Sequence, residues 1–212
     1  MADDIEIETQ THNGKTKRIL FQAMELIMNN LQKNMEHIDQ NFKYTQKFIN
    51  IIHDGLINNR RFFLLASGRS AFILQCFATR LVHLGADVFM VTNLGHIPAL
   101  QKKDILIVLS GSGTTSIVVS LLKNYVNMLK PHAIVCITSH PETVVGRIGD
   151  VTIKILGRTK REQDETNHAV LTPEGTQFEQ IAFTYLDAII AELAIKMGKT
   201  NEDLLEKHAE NT

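Results

Sequence analysis

The 212-residue sequence predicts a doubly wound α/β domain, a parallel sheet flanked by helices, with a helical N-terminal extension. Two observations carry that class. Strand-length apolar runs, FFLLAS, DVFMV, DILIVLS, HAIVCITS and DVTIKI, succeed one another between Phe62 and Ile155. Most show no polar alternation, as strands covered on both faces do. Stretches with helical spacing separate them, and that succession marks parallel strands joined by crossovers.

Residues 16 to 55 read as helix. Ile19, Leu20, Ala23, Ile27, Leu31 and Met35 keep the three-and-four spacing of one buried face. Phe48, Ile51 and Ile52 continue it in a second stretch from Phe42, until HDGLINNR breaks the pattern. This front part reads as a helical hairpin for packing or assembly, with Met24, Met28 and Met35 suited to interface or core alike. Further helices are expected at Ala71 to Leu84, Thr115 to Leu129 and Glu142 to Arg147. After the charged loop GRTKREQDETNH, the segment LTPEGTQFE opens a helix. Its stripe is Phe178, Ile181, Ala182, Tyr185, Leu186, Ile189, Ile190 and Leu193. A Gly198 stop and a short final helix or tail close the chain. The whole is expected to be one domain, with residues 1–60 as the extension and 61–212 as the core and C-terminal helices.

The bulk properties narrow the partners. A net charge of −1 offers no general attraction to nucleic acid or to an anionic membrane. No apolar run approaches the roughly 18 residues of a membrane helix. The acidic start, MADDIEIETQTHNGK, lacks the apolar segment of a signal peptide. Cys76 and Cys136, far apart in apolar surroundings, read as reduced, buried thiols and point to the cytoplasm. His12, His37 and His53 have no metal-like spacing, and His96, His132, His140 and His168 fall in loops or at strand starts. No metal site is expected.

Two corners concentrate small and hydroxylated residues. Ala66-Ser67-Gly68-Arg69-Ser70 follows the first strand, and Ser110-Gly111-Ser112-Gly113-Thr114-Thr115 follows the third. Each opens a helix, where unpaired N–H groups and the positive end of the dipole favour an anion. Doubly wound sheets bind ligands at the carboxyl ends of their strands, where both corners fall. Ser70 and Thr114 or Thr115 would equally serve as N-caps, worth about 1 kcal/mol each. A P-loop is excluded, because no Gly-Lys-Ser/Thr follows, and the first turn lacks G-x-G-x-x-G. Gly68-Arg69-Ser70 suits a compact phosphate monoester better than a pyrophosphate.

SGRSAFILQCFATRLVHLGADVFMV, DILIVLSGSGTTSIVV and LTPEGTQFEQIAFTYLDAIIAEL together resemble the sugar isomerase (SIS) domain family. Within it they are similar to the 6-phospho-3-hexuloisomerase branch, from about Phe62 to His208. The resemblance implies a five-stranded parallel sheet and a homo-oligomer, tetramer or dimer. It also implies cofactor-free interconversion of a phosphorylated ketohexose and its isomer, 6-phospho-3-hexulose and fructose 6-phosphate. Carried over, it has Ser70, Ser110, Ser112 and Thr115, with Gly68, hold the sugar phosphate; Arg69, and Asn93 where the chain departs from the branch, are further candidates. Glu179 and His83 become the acid–base pair, and His208 matches a tail histidine that would reach a neighbouring subunit's site.

The chemistry fits such a pair. Moving a carbonyl along a sugar removes a proton beside it and returns one to the next carbon, through an enediolate. A carboxylate suits the carbon-to-carbon transfer, and an imidazole the oxygens. Each residue has a plainer role beside this one. Thr176-x-x-Glu179 is a capping-box signature, His83 ends a helix whose dipole it would complement, and His208 sits in a tail. Arg69 faces the phosphate or pairs within the fold. The chain departs from the branch between Thr92 and Pro98, where the branch's acidic residue is missing, and at Ala71, where the branch has Gly. A different phosphosugar, or binding without catalysis, is the alternative. The first helices carry no clustered Arg/Lys face like that of regulators sharing this fold.

Overall fold

The computed structural model describes residues 11–12, 15–16, 18–91, 97–157 and 168–205. Five parallel strands form the central sheet: β1 (Arg61–Leu65), β2 (Asp87–Met90), β3 (Ile105–Leu109), β4 (Ala133–Thr138) and β5 (Val151–Lys154). They lie in the order β2-β1-β3-β4-β5. Each falls on one of the apolar runs. Because β2 and β3 lie on opposite sides of β1, the winding reverses between β1 and β3, and a crevice opens at their carboxyl ends. A two-residue antiparallel ribbon pairs Thr11–His12 with Lys15–Thr16.

The sheet is covered on both sides, which is why its strands lack polar alternation. Phe62, Leu64, Ile105, Ile107, Val135 and Ile137 face one core, completed by helices α2 (Phe42–Ile57), α3 (Arg69–His83) and α7 (Thr176–Lys196). Phe63, Leu65, Leu106, Val108, Ile134 and Cys136 face the other, under α4 (Ser116–Met128) and α5 (Val144–Ile148). Short helices α6 (His168–Leu171) and α8 (Asn201–Leu205) flank α7 in sequence. No described helix is long and apolar enough to cross a membrane.

The N-terminal helices differ from expectation. Helix α1 (Ile19–Gln40) meets α2 through Asn41 alone, so the pair forms an elbow and not a hairpin. Helix α1 packs on α7, and α2 on β5 and α7. Little of the apolar stripe of α1 reaches the core: Ile19, Leu20 and Met35 are exposed, and Ala23, Ile27 and Leu31 half-buried, with Leu31 packed against the core's margin. Periodicity reports an apolar face but not whether the same chain covers it. What α1 buries is polar, Gln22 and Asn34. The Asn34 amide donates to the Leu156 carbonyl at 2.8 Å and accepts from the Leu156 N–H at 2.7 Å, tying α1 to the chain just past β5. Leaving those two backbone groups unpaired would cost about 1–3 kcal/mol each.

The cysteines also divide. Cys136 is fully buried, and burial, with Asp150 nearby, pushes its thiol up to about 12. Cys76 is exposed, contrary to expectation. Leu74 and Phe77 take the inward side of α3, and Cys76 falls on the outward one.

Candidate active site

Three helix N-termini meet at the β1/β3 crevice. The corner after β1 turns on Gly68, whose φ of 61° suits glycine, and leads into α3. The corner after β3 turns on Gly113, with φ of 62°, and leads into α4. The third belongs to α7, which starts from Gly175. A cavity of about 130 Å³ opens between them, lined by Ser70, Gly111, Ser112, Thr115, Glu174, Gly175, Phe178 and Glu179. A second, of about 340 Å³, lies against Arg69, Phe72, Ile73, Glu179, Gln180 and Phe183. Glu179 lines both.

The β3 corner is braced from β4. Ser110 N–H donates to the Ile137 carbonyl at 3.0 Å, and Ser139 N–H to the Gly111 carbonyl at 3.1 Å. The Thr138 hydroxyl also donates to the Gly111 carbonyl at 3.1 Å. A Cβ on Gly113 would stand 2.0 Å from Thr143 Oγ1, so only glycine fits. The hydroxyls inside this frame are loosely engaged. Ser112 Oγ lies 3.5 Å from Thr115 Oγ1 and 3.3 Å from Thr114 Oγ1, beyond the usual range of hydroxyl hydrogen bonds.

The capping alternatives do not hold. None of α3, α4 or α7 has a side-chain hydrogen bond at its N-cap. Ser70 sits inside the first turn of α3, behind the Gly68 cap. Thr115 occupies the N-cap position of α4 without bonding an N–H from it. The cap of α7 is Gly175, which has no hydroxyl, so Thr176 and Glu179 form no capping box. Ser70 and Thr115 line the small cavity instead, at helix starts without side-chain caps, an arrangement that suits an anion.

Glu179 turns instead toward Arg69, the first residue of α3. Arg69 Nη2 lies 2.7 Å from Glu179 Oε2. The contact is an ion pair and not a hydrogen bond. Oε2 is buried and has no hydrogen-bond donor among the described residues. Burial raises the Glu179 pKa above the ordinary carboxylate value, and the Arg69 charge opposes that rise.

Other expected members stand apart. Ser110 is buried at the end of β3 and does not line either cavity. Its Oγ has no hydrogen-bond partner among the described residues, and neither does that of Ser139 on the adjacent strand end. His83 is buried at the last residue of α3, with Arg69 at the first. Fourteen helical steps separate them, about 21 Å along the axis, so one chain does not bring His83 to Glu179. Gly68 shapes its turn without lining the smaller cavity. Asn93, His96 and His208 lie outside the described residues. The sequence did not place Glu174, Gly175, Phe178, Phe72 or Phe183 at the site; LTPEGTQFE, a third helix start, was the one signal for the first three, and Phe72 and Phe183 had none.

Fold and crevice together define a doubly wound α/β protein with hydroxyls and helix N-termini gathered at its switch point. A family model for the SIS domain matches residues 55–173, more than half of the chain, and the protein belongs to that family. The chain is 31% identical over 157 residues to the 3-hexulose-6-phosphate isomerase of Bacillus subtilis, covering 74% of this chain and 82% of that one. It is 29% identical over 187 residues to the enzyme of that name from Methanocaldococcus jannaschii, covering 88% and 96%. A Methanococcus jannaschii crystal structure, inferred to have the molecular function of a 3-hexulose-6-phosphate isomerase, superposes with a TM-score of 0.72 at 28% identity, covering 90% and 99%.

Proposed function

We propose that the protein is a sugar-phosphate isomerase, with 6-phospho-3-hexulose and fructose 6-phosphate as its first candidate pair. The observation that carries this is the position of Glu179, a largely buried carboxylate shared by a small hydroxyl-lined cavity and a larger one beside it. The small cavity suits a phosphate monoester, held by Ser70, Ser112 and Thr115 and by first-turn N–H groups. The larger one has room for a sugar chain running past Glu179. In the proposed reaction Glu179 takes the proton from the carbon beside the carbonyl, leaving an enediolate. It then returns that proton to the carbon that was the carbonyl. A proton moving between the two oxygens completes the exchange, with no net loss or gain. A carboxylate whose pKa is raised by burial is a stronger base for the first step.

The span of α3 keeps His83 from its own Glu179, so a part for His83 in this scheme requires a second copy of the chain. The apolar rim supports such an assembly. Phe72 and Phe183 flank Arg69 and Glu179 while remaining 67% and 40% exposed. Met24 and Met28 on α1 are exposed as well. The proposal is tested by assaying the purified protein with hexulose, pentulose and heptulose phosphates. Turnover of a hexulose 6-phosphate is the expected result, and a folded protein inert toward all of them overturns it.

A further inference from the structure

Arg69 stands beside the phosphate corner in sequence but belongs to the other half of the site in space. It immediately precedes Ser70, yet it lines the larger cavity and not the one that carries the hydroxyls. We propose that Arg69 is a positioning residue that holds the Glu179 carboxylate ionised and aimed along the larger cavity, and is not a ligand of the phosphate. This rests on Glu179 being the base of the reaction above.

The charges around Glu179 leave this role to Arg69. From α3 comes Arg69 itself, and from the turn ahead of α7 comes Glu174, whose charge can only repel a second carboxylate. The α4 corner contributes Ser112 and Thr115, and α7 contributes Gln180 and Phe183, none of them charged. Among the described residues lining the two cavities, Arg69 is therefore the cation. The pair is also lopsided: the Glu179 side chain is 13% exposed and that of Arg69 58%. An exposed ion pair contributes little, because water serves both partners as well. Here the carboxylate has lost much of its water, and its Oε2 has no hydrogen-bond donor among the described residues in exchange. The guanidinium at 2.7 Å is what offsets that loss. At the first residue of α3, Arg69 is fixed to the same turn as Ser70, so seating a phosphate there and orienting the base are mechanically linked.

The test compares the wild-type protein with R69Q and R69K. The pH dependence of kcat/KM is measured on the sugar phosphate that turns over. In parallel, the Glu179 carboxyl is titrated by carbon NMR on glutamate-labelled full-length protein, its signal assigned with E179Q. Glu179 acts when ionised, so losing the cation moves the acid limb of the profile to higher pH. R69Q is expected to move it by about one unit, so that kcat/KM falls about tenfold at pH values below both limbs and is regained as the pH rises above them. R69K, which keeps the charge, moves the limb most of the way back, and KM at high pH stays within about threefold of wild type in both. The carboxyl titration moves upward with the limb. A raised KM with an unmoved limb assigns Arg69 to the phosphate and overturns the proposal, as does a Glu179 titration indifferent to R69Q. If no sugar phosphate turns over yet the carboxyl titration still moves, the isomerase assignment fails while the coupling of Arg69 to Glu179 stands.

Discussion

The corners after β1 and β3 share a recipe, a glycine with φ near 60° followed by hydroxyls at a helix start, yet they are built to different tolerances. Around Gly68 there is open space, with nothing within 4 Å of where a Cβ would sit. Around Gly113 the packing is so close that Thr143 Oγ1 and Thr138 Oγ1 occupy the room a Cβ would need. The β3 corner is locked to β4 by backbone and hydroxyl bonds, whereas the β1 corner hands an exposed arginine across to Glu179. A turn at a helix start can thus be a braced cradle or a mount for an exposed charge, and composition alone does not say which. The neighbours decide.

The carboxylate between the corners is where the contrast is broken most severely. Glu179→Gln keeps the cradle and removes the base, so turnover should fall by about 10²–10⁴-fold. Inorganic phosphate, followed by calorimetry, should still bind. Turnover within tenfold of wild type would remove Glu179 from the chemistry. Next comes Gly113→Ala, which combines a strained φ with a collision, at an expected cost of about 3 kcal/mol or more in chemical denaturation. Gly68→Ala has the strain without the collision and should cost about 1–2 kcal/mol. Equal losses at the two glycines would erase the distinction between cradle and mount. The smallest effect is expected from Ser112→Ala, which removes one donor from the cradle. Phosphate affinity should drop about fivefold, about 1 kcal/mol, with the unfolding midpoint nearly unchanged.

Both corners were legible in the sequence because they are local: strand, glycine, hydroxyl and helix follow within a few residues. The five strands were legible for the same reason, each a short apolar run between turns. What escaped depends on partners distant in sequence or absent from the chain. The strand order could not be read, and it is the order that sets the two corners side by side. The Thr176 and Glu179 spacing suggested a capping box, but Gly175 starts the helix one residue earlier and sends the carboxylate to Arg69. Resemblance joined His83 to Glu179, and the length of α3 separates them. The stripe on α1 was read as buried, but Ile19, Leu20 and Met35 are exposed and the rest only half-buried, since an apolar periodicity does not distinguish a core from an interface.

The link between Asn34 and Leu156 has a consequence at the sheet's margin. Parallel sheets end in strands whose outer N–H and C=O groups invite another strand to pair, a route to unwanted growth. Beyond β5 the next outward-facing pair of groups, on Leu156, is already occupied by a side chain that imitates a strand's own amide. An incoming strand would find that rung taken and would have to displace α1 to claim it. The helix thus closes that one rung of the sheet's margin to a second strand.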